Sequence, residues 1–169
     1  PWNVGRVAGG SSGGSCVAVA SGMCFATVDT DAVGSGRLPA AICGVTCHKP
    51  TFGALSPKGI LAGEEADPAI LKLSHPCVTA RSADDVSLVF EVLTQASRED
   101  RSAGGGHGDQ TTPPVRRLGV VTNFTASAEV REAFERVVAT LATMRIEQRD
   151  VSVPFDAAFF HRVATYTDT

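Results

Sequence analysis

Several kinds of feature are scarce or missing in this sequence, and each absence narrows what the chain does. There is no surplus of positive charge: 15 Lys and Arg stand against 18 Asp and Glu, for a net charge of −3. The basic patch that a nucleic-acid partner calls for is therefore not foreshadowed. No apolar run approaches the roughly 20 residues of a membrane span, and no secretory leader is visible. There is no initiator methionine, the only methionines being Met23 and Met144. The expectation from this is an internal fragment whose N-terminal portion lies elsewhere. No internal repeat is visible. A second pair of zinc ligands is missing beside Cys43-x-x-x-Cys47-His48, so no metal and no cofactor are expected.

What is present fits a single globular domain or a large piece of one: 169 residues, 43% hydrophobic. The five cysteines (Cys16, Cys24, Cys43, Cys47 and Cys77) are odd in number and irregularly spaced. Free buried thiols in a reducing, cytoplasmic compartment are expected. The sequon Asn123-Phe124-Thr125 reads as a chance occurrence.

Along the chain, residues 15–22 favour a helix of small side chains closed by Gly22. Residues 24–28 read as a buried strand, and 37–43 as a short helix with Pro39 in its first turn. Strands and turns follow over 44–62, then a solvated loop at Glu64–Pro68. Ser82-Ala83-Asp84-Asp85 is a capping box ahead of Val86, Val89, Phe90 and Leu93, predicting a helix to about Gln95. Residues 97–115 are polar and glycine-rich, hence a flexible loop. A strand is expected at 117–121 and a second at 146–153. Between them a helix opens at Ser127 with Val130, Phe134, Val137, Val138, Leu141 and Met144 on one face. A last helix is expected over 155–166. The alternation indicates an α/β fold with a mixed, largely parallel sheet flanked by helices. The chain divides into a core at 1–96, the loop at 97–115 and a strand–helix–strand–helix segment at 116–169.

The chemistry concentrates between Gly9 and Pro39, in two glycine-framed serine clusters, Gly9-Gly10-Ser11-Ser12-Gly13-Gly14-Ser15 and Gly34-Ser35-Gly36. Gly9-x-x-x-x-Gly14 opens like a phosphate loop, but Ser15 stands where that loop needs lysine, and no strand precedes it. Gly9-x-Ser11-x-Gly13 matches a nucleophile elbow, which also needs a preceding strand and a histidine. His48, His75, His107 and His161 have no distinctive context. A third reading joins the clusters. Ser35, after a strand, is presented among successive backbone N–H groups able to stabilise an oxyanion by roughly 3–4 kcal/mol. Ser11 relays its proton to a base.

Gly-Gly-Ser-Ser-Gly-Gly-Ser, then Thr30-Asp31-x-x-Gly34-Ser35-x-Arg37-x-Pro39-Ala40, then Cys43-Gly44-x-x-x-x-Lys49-Pro50-Thr51-x-Gly53 resembles the amidase signature family. The likeness is strong from Pro1 to about Leu93 and weaker from Arg117 onward. It implies a Ser–cis-Ser–Lys triad that hydrolyses a carboxylic amide other than a peptide through a serine acyl-enzyme. By motif position Ser35 is the nucleophile and Ser11 the bridging serine, held by a non-proline cis peptide. The N–H groups of Ala32, Val33, Gly34 and Ser35 form the oxyanion hole, and Ser12, Asp31 and Arg37 support the loop. In the family the lysine base lies upstream of the glycine–serine loop. Lys49 corresponds instead to a structural Lys-Pro, so the chain alone is expected to be inactive and its parent an amidase. Gly36, where the family has an aliphatic residue, is expected to widen the acyl pocket beside Ser35. The partner is a small-molecule amide, with no direct nucleic-acid contact, and a homodimer is left open. The alternatives are the glutamine-hydrolysing component of a tRNA-dependent amidotransferase and a non-catalytic scaffold or receptor domain.

Overall fold

A computed structural model describes residues 3–59, 72–101, 115–144 and 146–154, with side chains omitted at 97–101. The chain separates into two compact units, residues 1–106 with 166–169, and residues 107–165. The expected helix over 155–166 and the solvated loop at Glu64–Pro68 lie outside the described residues, as does the loop expected at 97–115 beyond Arg101, apart from Val115 itself.

The first unit carries α1 (Gly13–Ala20), β1 (Ala26–Asp31), α2 (Arg37–Cys43), β2 (Thr46–His48), β3 (His75–Ala80) and α3 (Ala83–Arg101). β3 is the central strand, with β1 on one side and β2 on the other, both antiparallel to it. Successive side chains of a strand point to opposite faces, and β3 uses both. Val78 and Ala80, each fully buried, pack with Leu55 and Val86 into one apolar cluster, joined by Val89, Phe90 and Leu93 of α3. Cys77 and Thr79, also fully buried, point the other way, and Cys77 meets Gly36 there. Burying a valine as fully as Val78 is worth roughly 1.5–3 kcal/mol. β3 is thus the shared wall between an apolar core and the face that carries the serine loops.

Local signals explain the helices. α1 buries Gly13, Cys16 and Val19, a stripe at intervals of three. Its C-terminal carbonyls are taken by a Schellman motif, with Met23 N–H on Ala18 O at 2.9 Å and Gly22 N–H on Val19 O at 3.1 Å. Gly22 thus ends the helix as expected. α2 spans the predicted residues with Pro39 in its first turn. At α3 the Ser82 hydroxyl accepts from Asp85 N–H at 3.1 Å and donates to the Asp85 carboxylate at 2.8 Å. α3 does not stop near Gln95 but runs to Arg101, through the first part of the stretch expected to be loop. The physical reason is composition: no glycine or proline interrupts the chain between Ala83 and Arg101.

The second unit contains β4 (Arg117–Val121), α4 (Ala128–Thr143) and β5 (Glu147–Val151), with the strands parallel. Pairing of both senses is therefore present, antiparallel in the three-stranded sheet and parallel in the strand–helix–strand unit. Ser127 caps α4, its hydroxyl accepting from Val130 N–H at 3.4 Å. The apolar face of α4 is narrower than expected. Phe134, Val138 and Leu141 are half-buried, while Val130, Val137 and Met144 are exposed. Phe134 meets Phe124 edge-on with ring centroids 4.9 Å apart. Asn123, the sequon asparagine, donates to Val153 O at 2.6 Å and accepts from Val153 N–H at 3.0 Å. Its amide thereby fastens the end of β4 to the chain beyond β5. Among the described residues no helix is long and apolar enough to cross a membrane.

Candidate active site

β1 ends at Asp31, and the chain turns through residues 32–36 into α2. That turn is built around the Asp31 carboxylate, which is fully buried. Its Oδ1 accepts from Gly34 N–H at 2.7 Å and from Arg37 Nη2 at 3.0 Å. Oδ2 accepts from Gly36 N–H at 3.3 Å, Arg37 N–H at 3.2 Å and Arg37 Nε at 2.8 Å. The carboxylate therefore caps the start of α2 and holds the Arg37 guanidinium two-pronged. Burial by itself would raise the Asp31 pKa. The hydrogen bonds from Arg37 and Gly34 outweigh it and hold the carboxyl at about 2. Gly34 sits at φ 124°, a backbone that side-chain-bearing residues rarely adopt, which is why the turn has glycine there.

The first serine cluster meets this turn through the backbone. Ser12 N–H donates to Ser35 O at 3.1 Å, and Ser12 O accepts from Cys16 N–H at 3.1 Å as α1 begins. The Ser12 hydroxyl donates to Thr30 O at 3.5 Å. The peptide bond between Gly10 and Ser11 is cis. Ser11 is exposed and Ser35 half-buried, on loops joined by the Ser12–Ser35 bond. The structure thus brings Ser11, Ser12, Asp31, Ala32, Val33, Gly34, Ser35 and Arg37 into one neighbourhood. Within it the four backbone N–H groups expected to face an oxyanion divide. That of Gly34 is spent on Asp31, while among the described residues no partner accepts from Ala32, Val33 or Ser35 N–H.

Gly36 faces the interior. A Cβ placed there would stand 2.5 Å from Cys77 Sγ, 3.1 Å from Cys47 Sγ and 3.5 Å from Asp31 Oδ2. The expectation that Gly36 widens an acyl pocket is corrected by this geometry, because the missing side chain would project into the thiols beneath the loop. Register places Cys47 opposite Thr79, so Cys47, Thr79 and Cys77 share one face of the sheet. The Cys77 thiol stands beside the Cys47 sulfur beneath Gly36. This outweighs burial and lowers the Cys47 thiol to about 7, while the same contact and burial push Cys77 up. Burial, with Asp29 nearby, pushes Cys16 up to about 11. Thr79 Oγ1 is buried beside these sulfurs without a well-formed hydrogen bond. From the sequence the thiols read only as ordinary buried cysteines. Cys47 and Cys77 are 30 residues apart, and only the strand register unites them.

Other groups stand elsewhere. The ring of His48 packs edge-on against Phe90 at 4.7 Å, and that of His75 against Phe52 at 5.0 Å. Lys49 Nζ donates to Pro50 O at 2.9 Å. A cavity of about 480 Å³ lies between the N-terminal segment, α1 and α2, bordered by Val7, Ala8, Val17 and Ile42, and none of the paired serines lines it.

Comparison with known proteins follows the same contour. The Amidase family model matches residues 1–166. The chain is 34% identical to the A component of a glutamyl-tRNA(Gln) amidotransferase from Solidesulfovibrio magneticus, over 98% of this chain and 34% of that protein. It is 32% identical to a 6-aminohexanoate-cyclic-dimer hydrolase of a Pseudomonas species, over 89% of this chain and 32% of that one. A crystal structure of an amidase superposes with a TM-score of 0.69 at 34% identity, covering 95% of this chain and 34% of the other. The chain spans about a third of the length of these relatives.

Proposed function

We propose, from the premise that the chain belongs to the amidase family, that the protein carrying it hydrolyses a carboxylic amide through an acyl-enzyme on Ser35. The observation that carries this reading is the backbone union of the two serine loops, with Ser12 N–H on Ser35 O. It supports the reading by joining the loop that carries Ser11 to the loop that carries Ser35.

In this reading Ser35 Oγ attacks the amide carbonyl and its proton passes to Ser11, which hands it to a lysine base. The ammonium of Lys49 is engaged by Pro50 O, which argues against that residue as the base. As the tetrahedral intermediate forms, its oxyanion accepts from the N–H groups of Ala32, Val33 and Ser35. Gly34 leaves the donor set because Asp31 holds its N–H. Fixed donors of this kind need no reorganisation as charge develops, which is the source of their effect. The amine leaves with the relayed proton, and water then attacks the acyl-serine by the reverse route. Asp31 and Arg37 act on the loop rather than on the substrate.

The test is amide hydrolysis by the intact natural protein and its Ser35→Ala variant on a panel of short, aryl and cyclic amides. Loss of at least about a hundredfold in kcat with an unchanged fold is expected when the nucleophile is removed. Equal rates would sink the assignment of Ser35.

A second reading is favoured by the glutamyl-tRNA(Gln) amidotransferase components among the relatives. Here the amide is the side chain of glutamine, and partner proteins accept the released ammonia. Glutaminase activity that rises only when such partners are added separates it from the first.

A further inference from the structure

We propose that Cys47 and Cys77 form an oxidisable dithiol, a modification site beneath Ser35–Gly36 that a hydroperoxide converts to a disulfide. The dithiol does not rest on the reading of Ser35 as nucleophile.

The two sulfurs are neighbours, since both lie within 3.1 Å of the point where a Gly36 Cβ would stand. They occupy one face of adjacent antiparallel strands, Cys77 two places along β3 from Thr79, the partner of Cys47, on that same face. Their accessibility differs in the way a peroxidatic and a resolving thiol require. Cys47 is half-buried and Cys77 fully buried. Contact with the Cys77 thiol lowers the Cys47 thiol to about 7, the direction that favours the reactive thiolate. The neighbouring thiols have other partners, Cys16 Sγ the carbonyl of Gly36 and Cys43 Sγ that of Ala8, each at 4.0 Å.

The chemistry balances in two steps. The Cys47 thiolate attacks the peroxide, the O–O bond breaks, a sulfenic acid forms, and the other oxygen departs as water after taking a proton. The Cys77 sulfur then attacks the sulfenic sulfur, the S–S bond forms, and the sulfenic hydroxyl leaves as water with the Cys77 proton. Two thiols and one hydrogen peroxide give one disulfide and two waters. Diagonal neighbours on adjacent strands stand wider apart than the Cα separation a disulfide usually spans. Closing the bridge therefore requires β2 and β3 to shift along one another and takes both sulfurs from their places against Gly36. The turn from Asp31 to Leu38 loses its floor.

The test uses the intact protein treated with hydrogen peroxide, alkylated with iodoacetamide, and mapped without reduction. Hydrogen exchange of peptides covering residues 31–38 is followed in parallel. Expected are a Cys47–Cys77-linked peptide and exchange in that segment faster by about tenfold, both reversed by dithiothreitol and both absent in Cys47→Ser. That variant changes a half-buried residue and leaves the buried Cys77 in place, so the test does not depend on a core substitution folding. Recovery of both cysteines as alkylated thiols overturns the proposal, as does a linked peptide with unchanged exchange. Failure of the reduced protein to hydrolyse any amide counts against the proposed function, while the map and the exchange data still decide the dithiol.

Discussion

The backbone N–H of Ser12 points at the carbonyl oxygen of Ser35, 3.1 Å away, and this bond makes two distant loops one structure. Each loop is anchored on its other side by a helix. Ser12 O receives Cys16 N–H in α1, and Gly34 O receives Leu38 N–H in α2 at 2.8 Å. Errors in either helix start are therefore transmitted to both serines.

Asp31 should be the most sensitive polar residue of the turn. Asp31→Ala removes acceptors for three backbone N–H groups and for Arg37, and a destabilisation of about 2–4 kcal/mol is expected. Arg37→Ala leaves the carboxylate its backbone donors, and the arginine side chain is 52% exposed. About 1–2 kcal/mol is expected there. Urea midpoints of the two variants give the order, and a larger loss at Arg37 would contradict the account of the turn.

The same carboxylate makes stability depend on acidity in a defined direction. Its folded pKa, about 2, lies below the ordinary carboxylate value. Its contribution is thus fully present above that ordinary value and is lost as pH falls through it toward 2. On the order of 2 kcal/mol should disappear between about pH 5 and pH 2. In Asp31→Asn this share of the pH dependence should be missing. Parallel slopes of Tm against pH in the two proteins would refute the assignment.

Gly36 and Cys77 should be energetically coupled. Gly36→Ala pushes a methyl group to 2.5 Å from a buried sulfur, an overpacking expected to cost about 1–3 kcal/mol. In the Cys77→Ala background the worst clash is gone, and the added methyl meets only Cys47 Sγ tightly, at 3.1 Å. A double-mutant cycle on denaturation free energies should show at least about 0.5 kcal/mol of coupling. Strict additivity would mean that the two do not meet.

In the second unit, Ser127→Ala should cost about 0.5–1 kcal/mol, toward the low side for a cap because the hydroxyl contact is 3.4 Å. Asn123→Ala should cost more, since its amide makes both a donor and an acceptor contact with Val153. Thermal denaturation of the two variants reads the difference, and an inverted order would count against the clamp.

Much of this was written locally in the chain. The Ser82–Asp85 box, Ser127, Gly22 and Pro39 act within a few residues of themselves, so the starts of α3 and α4, the close of α1 and the extent of α2 follow from sequence alone. The serine clusters were legible for the same reason, as their glycines and hydroxyls are contiguous. Part of what escaped depends on register: that Gly36 faces Cys47 and Cys77 follows from how β2 and β3 align. That Asp31 draws off the Gly34 N–H is local to the turn, but it depends on the turn's backbone geometry rather than on residue type alone. Composition also misled at the end of α3, where a polar stretch proved helical to Arg101 because nothing in it breaks a helix. On α4 the apolar spacing was right, but only Phe134, Val138 and Leu141 are covered.

The two-sided use of β3 has a consequence for how this sequence tolerates length changes. Val78 and Ala80 serve the apolar core, while Cys77 and Thr79 serve the floor below the serines. Deleting one residue within Pro76–Ala80 would exchange the two sets, bringing valine under Gly36 and thiols against α3. Substitutions along this strand can be absorbed one at a time, but a single-codon deletion damages both layers at once. The strand is thus a place where the gene accepts changes of letter and not of spacing.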